Sequence, residues 1–146
     1  MNTSLGKLGI ALAAATLMIS FLFSGAAMAV APIKVKLSGG QEVPPVKSSA
    51  KGSGKIVVGD DKSVSGTIKT SKMTGTAAHI HQGAKGENGP PIITLTTSSP
   101  GKWAVPPGAK LTDEQYQSLK DGKLYINVHS DAHKGGEIRA QLKLKP

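Results

Sequence analysis

The feature that most constrains this chain is a period-two alternation of apolar and polar residues, repeated in short segments between glycine- and proline-rich turns. Ile33-Lys34-Val35-Lys36-Leu37 is the clearest case, and such alternation marks a half-buried strand. Gly54 to Val58 and Ser63 to Thr70 follow, joined by Gly59-Asp60-Asp61-Lys62, a natural hairpin connection. Thr76–His81, Ile92–Thr96, Leu124–His129 and Glu137–Leu144 complete the set. Seven or eight short strands of this kind predict an all-β, antiparallel sandwich or barrel. Gly39–Gly54, with Pro44-Pro45, and Ser98–Pro107, with Trp103 as a hydrophobic anchor, read as loops. Gly83 to Pro91 holds three Gly-x-y triplets, far too few for a collagen helix, and reads as a glycine-dense turn. One segment breaks the pattern. Leu111 to Gly122 has Thr112 as an N-cap, Asp113 and Glu114 in the first turn and Gly122 after the last, which predicts one short helix.

The N-terminus is of another kind. Lys7 is the only charged side chain before Lys34, an apolar run extends from Leu8 to Phe23, and Ala27-Met28-Ala29 supplies a small-x-small cleavage pattern. These are the parts of a secretory signal over residues 1–29, with a single domain over 30–146 and a periplasmic or extracellular destination. The uncharged stretch from Leu8 to Ile33 is also long enough for an uncleaved anchor, against which Ser24, Gly25 and the alanines weigh. Removing 29 of 146 residues leaves 117, lowers the net charge from +9 to +8 with Lys7, and takes both phenylalanines. The remaining core must come from Val, Ile, Leu and Ala without disulfides, since the chain has no cysteine. Lysines are spread singly or in alternation, the pattern of solvated faces and protected strand edges, and attract a basic exported domain to anionic envelope polymers. Nucleic acid is not an expected partner, because stacking aromatics are scarce.

The four histidines form two pairs, His79-x-His81 and His129-x-x-x-His133. Residues i and i+2 of a strand share a face. His79 and His81 therefore project together, away from the core that Ala78 and Ile80 suit. The same logic places Tyr125, Asn127 and His129 opposite Leu124, Ile126 and Val128, and sets Glu137, Arg139 and Gln141 outward. Imidazole is the usual ligand for copper and zinc, and four nitrogen donors without a thiolate favour Cu(II) or Zn(II). His79, His81, His129 and His133 are the candidate ligands. Asp131 and Glu137 are candidate further ligands or acceptors for an imidazole N–H. Arg139, the only arginine, reads as an edge-strand ion-pair partner for Glu137 or Asp131, or as a contact for a small anion beside a metal. Spacing supports no Ser/His/Asp triad, paired carboxylates or phosphate-cradling loop, so no catalytic residue is assigned.

Ala78-His79-Ile80-His81-Gln82-Gly83, Gly86-Glu87-Asn88-Gly89-Pro90, Leu124-Tyr125-Ile126-Asn127-Val128-His129-Ser130 and His133-Lys134-Gly135-Gly136-Glu137-Ile138-Arg139-Ala140-Gln141-Leu142 together resemble the CHRD (chordin) domain over about residues 32–144. Ala140 stands where that family usually has glycine. The resemblance implies a Greek-key β sandwich, immunoglobulin-like or Cu,Zn superoxide dismutase-like. It also implies an exported protein of the stand-alone bacterial type, or a binding module like chordin, which binds growth factors. His79-Ile80-His81 with a glycine following also looks like the copper strand of the Cu,Zn dismutases. The dismutase disulfide and full zinc loop have no counterpart, so copper binding rather than dismutase activity is the expectation. The function expected is metal binding, copper first and zinc second, for storage, delivery or tolerance. The alternative is a non-catalytic interaction or adhesion module with an envelope or extracellular protein partner.

Overall fold

A computed structural model describes residues 31–144; the candidate signal lies outside the described residues. The strands are β1 (Ile33–Ser38), β2 (Lys51–Val58), β3 (Val64–Ser71), β4 (Gly75–Gln82), β5 (Pro91–Thr94), β6 (Thr96–Ser99), β7 (Lys102–Ala104), β8 (Leu124–Ser130) and β9 (Ile138–Leu142), with a 3-10 turn at Gly39–Gln41 after β1 and an α-helix, α1 (Asp113–Lys120), before β8. All pairings are antiparallel, in the order β5-β4-β8-β9-β1-β2-β3-β7-β6. β1, β2 and β3 form a meander. The chain then crosses to β4 and β5, returns to the far edge as β6 and β7, and passes through α1 to β8, which slots between β4 and β9. The last strand so lies beside the first. The sheet is folded on itself into a nearly closed sandwich. Gly75 of β4 packs against Trp103 of β7, although the two strands are far apart in the ladder.

One continuous core fills the interior, with Ile56, Ile68, Leu119, Ile126, Val128 and Ile138 wholly buried. At about 1.5–3 kcal/mol for each fully buried aliphatic side chain, this core supplies the main drive to fold in a chain without disulfides. The helix follows its cap signals. Thr112 accepts from the Gln115 backbone N–H, the Gln115 side chain accepts from the Thr112 N–H, and Leu119 enters the core.

Three sequence expectations need correction. The Ser98–Pro107 loop instead contains the end of β6 and all of β7, and Trp103 pairs with Ile68 and Thr97 inside the sheet. Strands of three or four residues are too short to display a periodicity. The reading of Ile92–Thr96 as one strand breaks at Leu95, whose N–H donates to Ala78, after which the chain leaves β4 for β7. The Gly39–Gly54 loop ends three residues early, because Lys51-Gly52-Ser53 already pair with Ser71-Thr70-Lys69.

The outward face of β8 and β9 departs furthest from expectation. Tyr125, Asn127, Glu137 and Arg139 are all buried. Two loops, residues 39–46 and 83–90, lie over them and are tied together by a bond from Asn88 Nδ2 to the Val43 carbonyl (2.7 Å).

Candidate metal centre

Pairing of β4 with β8 sets His79 opposite Asn127, His81 opposite Tyr125, and Ala77 opposite His129. His129 is thus one diagonal step from His79 on the same face, within reach of a ring. His79 Nδ1 and His129 Nε2 are 3.0 Å apart, and one ring nitrogen from each of His79, His81 and His129 lies within 4.8 Å of the other two. Nitrogens bound to one ion at about 2.0–2.1 Å stand roughly 3–4 Å from each other.

Backbone acceptors orient two of the rings. His81 Nδ1 lies 2.8 Å from the Gly89 carbonyl and His129 Nδ1 2.8 Å from the Lys134 carbonyl. A carbonyl only accepts, so each Nδ1 carries the proton and each Nε2 presents a lone pair. His129 Nε2 uses its lone pair to accept from His79. His81 Nε2 is buried and has no hydrogen-bond partner, although the Asn127 side chain lies beside it. A buried acceptor left open costs about 1–3 kcal/mol, and a cation would satisfy it. Burial, followed by repulsion from neighbouring imidazoles, depresses the affinity of His79 for a proton; burial and the His129 charge do the same at His81. Both rings are therefore held neutral at neutral pH, and an ion bound here would take the place of the His79–His129 hydrogen bond.

Behind His81 the face is layered. The Tyr125 ring stacks on it at 4.7 Å with planes 6° apart, and the Arg139 guanidinium lies 3.4 Å from the Tyr125 centroid on β8. Arg139 donates to the Ala84 carbonyl, Asn88 Oδ1 and Gln141 Oε1, holding loop 83–90 in place. The Tyr125 hydroxyl lies 3.2 Å from the Gly89 N–H, on the same residue whose carbonyl orients His81.

The other sequence candidates lie elsewhere. His133 is outside the trio. Its backbone closes a tight turn with Ser130, and the residue borders a small cleft with Val43, Pro44 and Asn88. Asp131 is exposed on that turn. Glu137 accepts from Ser48 Oγ at 2.5 Å. Burial alone would raise its carboxyl, but hydrogen bonds from Ser130 and Ser48 and the charge of His133 outweigh this and lower it. Arg139 is not at a sheet edge and pairs with neither Glu137 nor Asp131. β9 runs between β8 and β1, and the guanidinium is buried. Alternation placed Arg139 on the correct face and was silent about the loops above it.

Glu42 escaped the sequence reading altogether. It lies in loop 39–46, and burial, only partly offset by Arg139, Asn127 and the Val43 backbone, pushes its carboxyl up to about 7. An unfolded glutamate titrates near 4.5. Between these values the native state keeps a proton the unfolded chain has lost, so this group's contribution falls as pH rises from about 4.5 to 7. Glu42→Gln is expected to stabilise the protein by about 1–2 kcal/mol at pH 8, after allowance for solvent screening, and to change little at pH 4. Urea unfolding of both proteins across that range checks this; a constant difference would refute it.

An antiparallel sandwich carrying a histidine trio on one outer face is the class of protein that this architecture defines. The CHRD domain family model matches residues 33–142, and the chain belongs to that family. No curated protein and no solved structure gives a significant match.

Proposed function

We propose that this CHRD-domain protein is exported and binds a divalent transition-metal ion, copper in preference to zinc, through His79, His81 and His129, for storage, delivery or tolerance. The observation that carries this reading is the buried, unpartnered Nε2 of His81, deprotonated because Nδ1 is committed to Gly89 and adjacent to two further imidazole nitrogens. Three imidazoles without a thiolate are a donor set for Cu(II) or Zn(II), and backbone carbonyls on the far nitrogens are the outer-shell support that metal-binding histidines use. Tyr125, Arg139 and loop 83–90 support the ligands. His133, Asp131 and Glu137 have no part in the trio. No chemical reaction is assigned.

Isothermal titration of the exported chain with Cu(II) and with Zn(II) tests the proposal. Binding tighter than micromolar to the parent, lost in His79→Ala/His81→Ala and retained in His133→Ala, is the expected result. Equal heats from the parent and the double variant would end it.

A further inference from the structure

The face that carries the imidazoles continues across β9 and β1 onto β2, β3 and β7, and there its chemistry changes. Register sets Lys34 directly opposite Lys55, and Lys55 opposite Thr67. One row along, Lys36 faces Ser53, Ser53 faces Lys69, and Lys69 faces Lys102. In the next row Ser38 faces Lys51, which faces Ser71. Every lysine in these rows is exposed, none makes an ion pair among the described residues, and no acid interrupts them. Like charges directly opposite each other destabilise a sheet. Two such pairs, Lys34 with Lys55 and Lys69 with Lys102, stand on one face. Beside them a cleft of about 710 Å³ adds Lys85 and Lys143 over the buried Arg139.

We propose that this lysine face binds an acidic polysaccharide, its cationic rows meeting the carboxylates and the interleaved Ser53, Thr67 and Ser71 hydroxyls meeting the sugar hydroxyls. The rows continue across four strands, which suits an extended polymer rather than a single small anion. Aromatic platforms for stacking bases are absent from these rows, and so is the apolar anchor that would hold a lipid surface. The single arginine, the residue suited to bidentate phosphate recognition, is committed elsewhere. This inference does not depend on the metal reading, since no imidazole takes part.

Binding to alginate, measured by titration at 150 mM salt, is the test, with Lys34→Gln/Lys55→Gln/Lys69→Gln compared against Lys47→Gln/Lys110→Gln/Lys120→Gln. Both triples lose the same net charge. The face triple is expected to bind at least 10-fold more weakly with a shallower salt dependence, and the control triple to stay within 2-fold of the parent. The face triple should melt no lower than the parent, because it relieves like-charge contacts. Equal weakening by both triples would reduce the effect to net charge and overturn the proposal. So would binding of single-stranded DNA or phosphatidylglycerol vesicles as tightly as alginate.

Discussion

Gly89→Ala is expected to weaken copper binding by roughly 10- to 100-fold while leaving all three imidazoles in the chain, the scale on which lost outer-shell support lowers metal affinity. A Cβ at this position would overlap the carbonyl oxygen of Gln82 at the end of β4 and crowd its carbonyl carbon. Both are backbone and cannot swing aside, so the 83–90 loop must lift. Lifting removes the acceptor of His81 Nδ1 and the partner of the Tyr125 hydroxyl together. His81 is then free to exchange tautomers and to turn, and its Nε2 is no longer preset as a lone pair. The measurement is the Cu(II) titration, made well below the melting temperature, with circular dichroism to show that the sheet persists. Parent-like affinity in a folded variant would mean that the Gly89 carbonyl does not orient the ligand.

Arg139→Ala is expected to cost about 3 kcal/mol of folding stability. The side chain is about 1 % exposed, fills the space over Tyr125 and satisfies Ala84, Asn88 and Gln141. Its truncation combines a cavity with stranded acceptors, each a destabilising effect of a kcal/mol or more. An exposed edge-strand arginine in an ion pair would contribute less than about 1 kcal/mol. Urea unfolding separates the two cases, with the exposed Lys143→Ala as a comparison expected within about 0.5 kcal/mol of the parent. A loss below 1 kcal/mol for Arg139→Ala would contradict the buried stack.

Those two residues also show where sequence reasoning ran out. Alternation along β4, β8 and β9 assigned His79, His81, Tyr125, Asn127, His129 and Arg139 to a common face, and the register of the strands agrees. The covering of that face was not legible, because loops 39–46 and 83–90 dock through isolated long-range bonds such as Asn88 to Val43, which leave no periodic trace. Glu42 was missed for the same reason. Its unusual carboxyl is a product of that lid, and nothing in its neighbours along the chain marks it. The pairing of His129 with His133 was a matter of spacing alone. The turn from Ser130 to His133 closes on itself through two backbone bonds, and the later ring leaves the common point. β7 was invisible because three residues cannot show a period, and only Trp103 hinted that the segment was anchored.

The adjacency of β1 and β9 has a mechanical consequence. The two strands run antiparallel, so the described chain enters and leaves the sandwich at the same end. Tension on the two ends would load the few bonds between these strands one after another, as in a zip, instead of all at once. Under stretching the domain should therefore open first along that seam, with the strand that carries Arg139 peeling away from Lys34 and Lys36 while the histidine-bearing strand is still held by its neighbours.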